Sequence, residues 1–166
     1  MTTTAERARR FAEAGFSVFP VRGDKTPYAS DGLKSATLDP WHAQEVFEKF
    51  PKALIAIHCG QSGVVVLDID VKDGVDGFEM LDENFYDIPE TYPYDSLSGL
   101  GRHFMYLAPE GLNLAPKAGY RGMKGVDRRS GESYVVYPGT ETPDRSKMAV
   151  APGWLRDVSA VKTSES

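Results

Sequence analysis

The chain has 166 residues, a formal charge of −5 at pH 7 and 41% hydrophobic residues, which is the composition of one globular domain with a core of ordinary size. The negative charge argues against a large nonspecific nucleic-acid surface but leaves room for a local basic groove. The single cysteine, Cys59, excludes a disulfide framework and a four-cysteine zinc site. The N-terminus lacks the apolar stretch of a signal peptide, and no segment has the length and hydrophobicity of a membrane span. A cytoplasmic protein without a membrane partner is therefore predicted.

Capping and turn signals divide the first half of the chain into alternating helices and strands. Thr3 and Glu6 have the spacing of a capping box, which places a helix start at residue 4. Asp39 followed by Pro40 is an N-cap before a residue favoured in the first helical turn. The predicted elements are a helix over 4–14, a strand over 16–21, a turn-rich loop over 22–32, a helix from 40 to about 51, and two apolar strands over 53–60 and 63–70 that are joined by a tight turn.

The second half of the chain is richer in strands. A polar, glycine-containing segment, VKDGVDG, leads into a short predicted helix over 78–85, and strands follow near 94–98, 102–108 and 133–139. This order predicts an α+β fold. We expect one domain over residues 1–155 and a flexible tail or the start of a linker over 156–166.

The stretch VVVLDID, residues 64–70, ends an apolar strand in two acids. Residues two apart on a strand project to the same face, so Asp68 and Asp70 lie together with Cα atoms about 6.6 Å apart. Two carboxylates at about 4 Å repel by roughly 4 kcal/mol at an effective dielectric near 20. A cation could relieve this repulsion, and oxygen ligands favour Mg²⁺ or Mn²⁺. The alternative is a strand that leaves the core and ends in two solvated acids.

A third acid would be needed for a site with two metal ions. Asp127 lies just before another apolar strand and is available for that role, although its local pattern alone indicates a turn residue.

The segment SGLGRH, residues 98–103, combines glycines with basic side chains. Gly99 and Gly101 let backbone N–H groups approach an anion closely, and Arg102 and His103 would place positive charge beside it. The pattern indicates a phosphate-binding loop, and a glycine-rich hairpin turn that happens to precede a histidine is the alternative. The chain has no P-loop, no G-x-S-x-G and no H-E-x-x-H, which excludes a motor activity of its own and two common hydrolase sites.

Three segments resemble, in this order, the three motifs of the archaeo-eukaryotic primase superfamily: LDID, SGLGRH and GVDRRSGESYVVYPGT. The resemblance is in particular to the bifunctional primase–polymerase domain of phage and plasmid replication proteins. Three further segments resemble the N-terminal half of that domain: GFSVFPVRGDKTPY, GLKSATLDPWHAQEVFEKFP and ALIAIHCGQSGVVVLDID. The likeness therefore spans about residues 5 to 140. It implies a catalytic core of two packed α/β halves, one with an RRM-like sheet, and an active site in the cleft between them.

The resemblance also implies roles for individual residues. Asp68, Asp70 and Asp127 would be catalytic and hold two divalent ions, Mg²⁺ or Mn²⁺, which activate a 3′-hydroxyl and neutralise the incoming triphosphate. His103 would be catalytic as well. The residues that would bind the nucleotide are Ser98, Gly99, Gly101, Arg102, His103, Lys25 and Arg129. The chain departs from the superfamily at the second motif, where Gly101 stands in the place of the serine of Ser-x-His.

The predicted function is that of a DNA primase/DNA polymerase, a nucleotidyltransferase that synthesises and extends primers from NTPs or dNTPs in phage or plasmid replication. Its expected partners are a single-stranded DNA template, a primer, nucleotides and a fused or associated replicative helicase, in the cytoplasm of a bacterial host. Two alternatives stay open: a catalytically inactive single-strand-binding module of a replisome, and a metal-dependent phosphohydrolase or nuclease that uses the same acids.

Overall fold

The computed structural model describes residues 2–156 and shows an α+β fold with antiparallel sheets, as predicted. Of the predicted tail, only Arg156 lies within the described residues. The helices are α1 Thr4–Glu13, α2 Pro40–Glu48, α3 Cys59–Ser62 and α4 Gly77–Glu83. The strands are β1 Ser17–Val21, β2 Leu54–His58, β3 Val64–Lys72, β4 Val75–Asp76, β5 Tyr92–Asp95, β6 Gly101–Leu107, β7 Val126–Arg129 and β8 Tyr134–Tyr137.

The two longer predicted helices begin where their capping signals place them. The Thr3 hydroxyl accepts a hydrogen bond from the Glu6 backbone N–H and the Glu6 carboxylate accepts one from the Thr3 N–H, both at 3.1 Å, so the capping box is confirmed. Asp39 caps α2, with Pro40 in the first turn, as predicted. Helix α2 ends at Glu48, a little before the predicted end.

The strands form two antiparallel sheets. The first has the order β1-β2-β8, and the second has the order β5-β6-β3. Strand β3 is hydrogen-bonded along both edges, because β6 pairs with residues 64–70 on one side while β7 and then β4 pair with successive parts of the other. Both faces of β3 are also buried over residues 64–67, which explains the apolar run that precedes the two acids.

The link between the two strands predicted over 53–60 and 63–70 is not the expected tight turn. It is the one-turn helix α3, which carries the chain from the first sheet to the second. The reason is that both edges of β2 are already occupied, by β1 and β8, so β3 cannot pair with it as a hairpin. The chain crosses back through residues 130–133, and the two crossings are hydrogen-bonded from Cys59 N to Ser133 O and from Gly60 N to Gly131 O, each at 2.9 Å.

The second sheet has a core on each face. Val64 and Val66 pack with the first sheet, α1 and α2, whereas Val65, Leu67 and Ile69 pack under α4 and the C-terminal segment. Because side chains alternate along a strand, the two positions that continue the Val64–Val66 face are Asp68 and Asp70. In residues 2–156 no helix combines the length and the hydrophobicity that crossing a membrane requires.

Candidate active site

Asp68 lies in the middle of the central strand and has a cross-strand neighbour on each side. His103 of β6 is its partner on one edge, and Asp127 of β7 is its partner on the other. Directly opposite residues of antiparallel strands have Cβ atoms about 4.5–5.5 Å apart and share a face of the sheet. The fold therefore sets Asp127, Asp68 and His103 in one row. Asp127 lies within β7, not in the turn that its local sequence pattern indicates.

The Asp68 carboxylate is buried, with 7% of the residue exposed, and both of its oxygens have partners. His103 Nε2 lies 3.3 Å from Oδ1, and Arg129 Nε donates to Oδ2 at 3.3 Å. Burial by itself would raise the pKa of Asp68, but the hydrogen bond from His103 and the positive charges of His103 and Arg129 outweigh burial and lower that pKa. Asp68 is thus held as a carboxylate.

Arg129 connects two of the three carboxylates. It follows Asp127 by two residues on β7 and so shares its face of the sheet, and its Nη2 lies 3.5 Å from Asp127 Oδ2 while its Nε binds Asp68. The other Asp127 oxygen, Oδ1, accepts a hydrogen bond of 2.8 Å from the Gly119 N–H. One guanidinium group thus balances the charge of two neighbouring acids.

Asp70 lies at the end of the same face, opposite Gly101 of β6. Burial, and then the negative charges of Asp68 and Asp127, raise the pKa of Asp70, so the three acids share one electrostatic environment. A side chain at position 101 would collide with the Ile69 carbonyl oxygen and would come within 3.1 Å of Asp70 Oδ1. Gly101 therefore makes room for Asp70.

The three acids share one face of the second sheet, where they could act as ligands for a divalent ion. Across residues 2–156 no three or more side chains of the His, Cys, Asp and Glu types converge as a ready metal site. The donor set itself suits a hard cation, because Asp68, Asp70 and Asp127 supply only carboxylate oxygens from one face of a sheet. The Arg129 guanidinium occupies the position between two of them, and an ion that bound there would replace it as the counter-charge.

A cleft of about 340 Å³ opens beside this row, between the two sheets. Asp68 and His103 line it, together with the basic side chains of Lys25 and Arg129. The backbone at Lys25 is held in a left-handed conformation, with φ of 73°, and its carbonyl accepts a hydrogen bond of 2.8 Å from the Tyr134 hydroxyl. The cleft thus offers cations to an anionic ligand next to carboxylates that could hold a metal ion.

Other residues predicted to bind the nucleotide lie away from the cleft lining. Residues 96–100 form the hairpin turn between β5 and β6, and Ser98 and Gly99 are exposed at its tip. Strand β5 ends at Asp95, so the strand predicted over 94–98 stops where this turn begins. Arg102 neighbours His103 in β6 and therefore points to the opposite face, where it pairs with Asp95 at 2.9 Å.

The structure adds Tyr94 and Tyr134 to the site, neither of which was predicted. The Tyr94 hydroxyl lies 3.0 Å from His103 Nδ1, and Tyr134 holds the turn that carries Lys25. A signal for Tyr94 exists in the sequence, because YPYD, residues 92–95, has a tyrosine at every second position shortly before the SGLGRH segment. Pairing the two strands across that turn sets Tyr94 opposite His103.

Comparison with known proteins gives one finding on the family. The family model described as bifunctional DNA primase/polymerase, N-terminal, matches residues 8–160. That span covers nearly the whole chain and every site residue named above. No curated protein matches the sequence.

Proposed function

Because the chain belongs to the bifunctional DNA primase/polymerase family, we propose that it is a template-directed nucleotidyltransferase that makes or extends primers on single-stranded DNA from NTPs or dNTPs. The observation that carries this proposal is the row of Asp127, Asp68 and His103 across the central strands, with Asp70 on the same face. Asp68 lines the same cleft as the basic side chains of Lys25 and Arg129, and Asp70 and Asp127 neighbour Asp68 on its face of the sheet, so acids for metal ions lie next to cations for a triphosphate, as phosphoryl transfer requires.

The three carboxylates are the proposed ligands of two divalent ions, Mg²⁺ or Mn²⁺. When bound, these ions would neutralise the triphosphate and help to deprotonate the attacking hydroxyl. Asp68 is suited to this task because its lowered pKa keeps it ionised. Burial and the charge of Asp68 raise the pKa of Asp70, so a nearby positive charge would stabilise its carboxylate form.

The basic side chains of the cleft are the proposed contacts for the nucleotide. Lys25, in the loop that follows β1, and Arg129, on β7, both line the cleft and can reach an anion within it. His103 would donate a hydrogen bond from Nε2 to a phosphate oxygen in place of its contact with Asp68. Ser98 and Gly99 remain proposed phosphate contacts at the exposed hairpin, whereas Gly101 supports the site by leaving space for Asp70. The proposed role of Arg102 requires its side chain to leave Asp95.

The proposal extends to the fold and the partners. The two sheets, with the cleft between them, would correspond to the two halves of the primase catalytic core, and the second sheet to its RRM-like half. A single-stranded template and a primer would enter the same cleft. A fused or associated helicase would supply the template in replication, in the cytoplasm of a host cell.

A gel of labelled products tests the proposal directly. The protein is incubated with single-stranded template, with and without primer, in Mg²⁺ or Mn²⁺ and with NTPs or dNTPs. We expect incorporation by the wild type, and its loss in Asp68→Asn and Asp70→Asn. Asp82→Asn is the control, because it removes an exposed carboxylate from helix α4, which packs against the opposite face of the second sheet.

The same gel separates the alternatives. Incorporation that persists at the wild-type rate in Asp68→Asn would refute the assignment of the acids. Template binding without incorporation under all conditions would favour a catalytically inactive binding module. Degradation of the labelled DNA, or release of inorganic phosphate, would favour a nuclease or phosphohydrolase.

A further inference from the structure

The Arg129 side chain lies across two carboxylates that face each other on neighbouring strands. Asp68 of β3 and Asp127 of β7 are direct cross-strand partners. Arg129 Nε lies 3.3 Å from Asp68 Oδ2, and Arg129 Nη2 lies 3.5 Å from Asp127 Oδ2. Within residues 2–156, Arg129 is the one basic side chain that pairs with both acids. A single guanidinium group therefore bridges them.

The two oxygens that Arg129 contacts are those that other groups of the protein leave to it. The other oxygen of Asp68, Oδ1, lies 3.3 Å from His103 Nε2. The other oxygen of Asp127, Oδ1, accepts a hydrogen bond of 2.8 Å from the Gly119 N–H. A divalent ion that bridges the two acids through the remaining oxygens competes directly with the guanidinium group, since two cations in contact repel each other.

The position of Arg129 on its strand lets the charged end of the side chain change partners. Its Cα lies opposite Val66 of β3, whose buried side chain belongs to the core between the sheets. From there the long side chain reaches diagonally to Asp68, two residues further along β3. The side chain is 42% exposed and lines the cleft. Rotation about its aliphatic bonds would turn the guanidinium group from the acids into the cleft without a change in the backbone.

We propose that Arg129 competes with divalent ions for Asp68 and Asp127, and that ion binding turns its guanidinium group into the cleft, where it binds the phosphates of the nucleotide. The inference rests on the proposed function, which supplies both ligands. Arg129 then has an inward and an outward position, and the ion and the phosphates both favour the outward one. Two ligands that favour the same position strengthen each other's binding by the same factor, so Arg129 couples the two binding events.

Binding of Mn²⁺ to the full chain, without nucleotide or DNA, is the first test. The EPR signal of free Mn²⁺ measures the affinity of the wild type and of Arg129→Gln, with thermal unfolding to show that the variant is folded. A partly exposed ion pair is weak, but Arg129 makes two of them, so we expect Arg129→Gln to bind Mn²⁺ roughly three- to tenfold more tightly than the wild type. Equal or weaker binding by Arg129→Gln would overturn the proposal.

Lys25→Gln is the matched control for this measurement. It removes an equal charge that lines the same cleft, whereas the ion pairs of the acids within residues 2–156 are those with Arg129 and His103. Salt screens a charge that does not contact the acids, so we expect the Mn²⁺ affinity of Lys25→Gln to stay within about twofold of the wild type. A gain as large as that of Arg129→Gln would show a general effect of charge and would overturn the proposal.

NMR of the arginine side chains follows the guanidinium group itself. The Arg129 Nε–H signal is the one that disappears in Arg129→Gln. Addition of Mg²⁺ to the wild type should shift this signal with the same midpoint as the backbone amide signals of Asp68 and Asp127, because the hydrogen bond to Asp68 is lost as the ion binds. The Nε–H of Arg145 is the internal reference, since it donates to the Ala14 carbonyl at 2.9 Å and not to a carboxylate. An Arg129 signal that stays constant while the amides of both acids shift would overturn the proposal.

Steady-state incorporation tests the part of the proposal that concerns the phosphates. Arg129→Gln should reach its half-maximal rate at a lower Mn²⁺ concentration than the wild type, whereas its KM for the nucleotide should rise roughly two- to tenfold, because a charged contact to the phosphates is lost. Opposite shifts of this kind are not expected from a residue that only supports the fold. A nucleotide KM that does not rise would overturn this part.

The outcomes separate this inference from the proposed function. If the wild type incorporates nucleotides while Mg²⁺ leaves the Arg129 signal unchanged, the inference fails and the proposed function stands. If Mg²⁺ displaces Arg129 but the wild type incorporates nothing, the proposed function fails and the competition between Arg129 and the ion stands. If neither ion binds to the wild type or to Arg129→Gln, the inference and the proposed metal site both fail.

Discussion

Asp68→Asn and Asp70→Asn are expected to change the stability of the protein in opposite directions, although both remove a carboxylate from the same face of β3. The pKa of Asp68 is lowered in the folded protein, so its ionised form stabilises the fold at neutral pH. The pKa of Asp70 is raised, by burial and then by the charges of Asp68 and Asp127, so its ionised form destabilises the fold. We therefore expect Asp70→Asn to stabilise and Asp68→Asn to destabilise.

The size of the effect follows from the spacing along the strand. At about 6.6 Å, two unit charges repel by about 2.5 kcal/mol at a dielectric of 20 and by about 0.6 kcal/mol at 80. Asp70 is only partly buried, so we expect Asp70→Asn to gain about 1 kcal/mol, or about 2–4 °C in Tm. Asp68→Asn weakens the contacts to His103 and Arg129. Because the Arg129 side chain is 42% exposed, solvent screens its charge, and we expect a loss of unfolding free energy of about 1–2 kcal/mol.

The pH dependence identifies the cause. Asp70 is protonated in both the folded and the unfolded chain well below pH 3.9, the usual pKa of an aspartate, and it then costs no unfolding free energy. The cost grows as the pH rises above about 3.9 and is complete once the pH exceeds the raised pKa of Asp70 in the folded protein. The gain in unfolding free energy from Asp70→Asn should therefore vanish near pH 3. The loss of unfolding free energy in Asp68→Asn should have its full size above about pH 4, and it should shrink as the pH falls through the lowered pKa that Asp68 has in the folded protein. Urea unfolding at pH 7 and pH 3 measures both effects, with Asp82→Asn as the exposed control. A loss of stability in Asp70→Asn at pH 7, or a gain of equal size at both pH values, would refute the electrostatic account.

Three further predictions concern single contacts. Gly101→Ala should destabilise the protein by about 1–3 kcal/mol in urea unfolding, because its Cβ would collide with the Ile69 carbonyl, and an unchanged midpoint would contradict that packing. Tyr134→Phe removes the hydrogen bond to the Lys25 carbonyl and should raise the nucleotide KM roughly two- to tenfold, with little change in kcat; an unchanged KM would exclude this support of Lys25. Cys59 is buried and its thiol pKa is raised to about 12, so a maleimide should label it only after unfolding in urea, and rapid labelling of the native protein would contradict this burial.

Several parts of the site could be predicted because their signals are local. The capping box at Thr3 and the Asp39–Pro40 pair set helix starts through bonds between residues at most three apart. The alternation of side chains along a strand likewise places Asp68 and Asp70 on one face. Strand β7 gave no such signal, since Arg128 takes one of its inward positions, fully buried, and donates to the carbonyls of Ala115 and Leu155. A strand with an arginine in the core does not show the apolar alternation that marks strands.

The sequence by itself determined where the two longer helices start and that Asp68 and Asp70 share a face, because each of these depends on neighbours within a few residues. Only the tertiary structure decided which side chains flank Asp68, that Arg102 points away from the cleft, and that α3 carries the chain between the sheets. The physical reason is that β3 is apolar on both faces, so its own sequence does not specify which strands pair with its edges. Those partners, and with them His103 and Asp127, are selected by the packing of the whole domain.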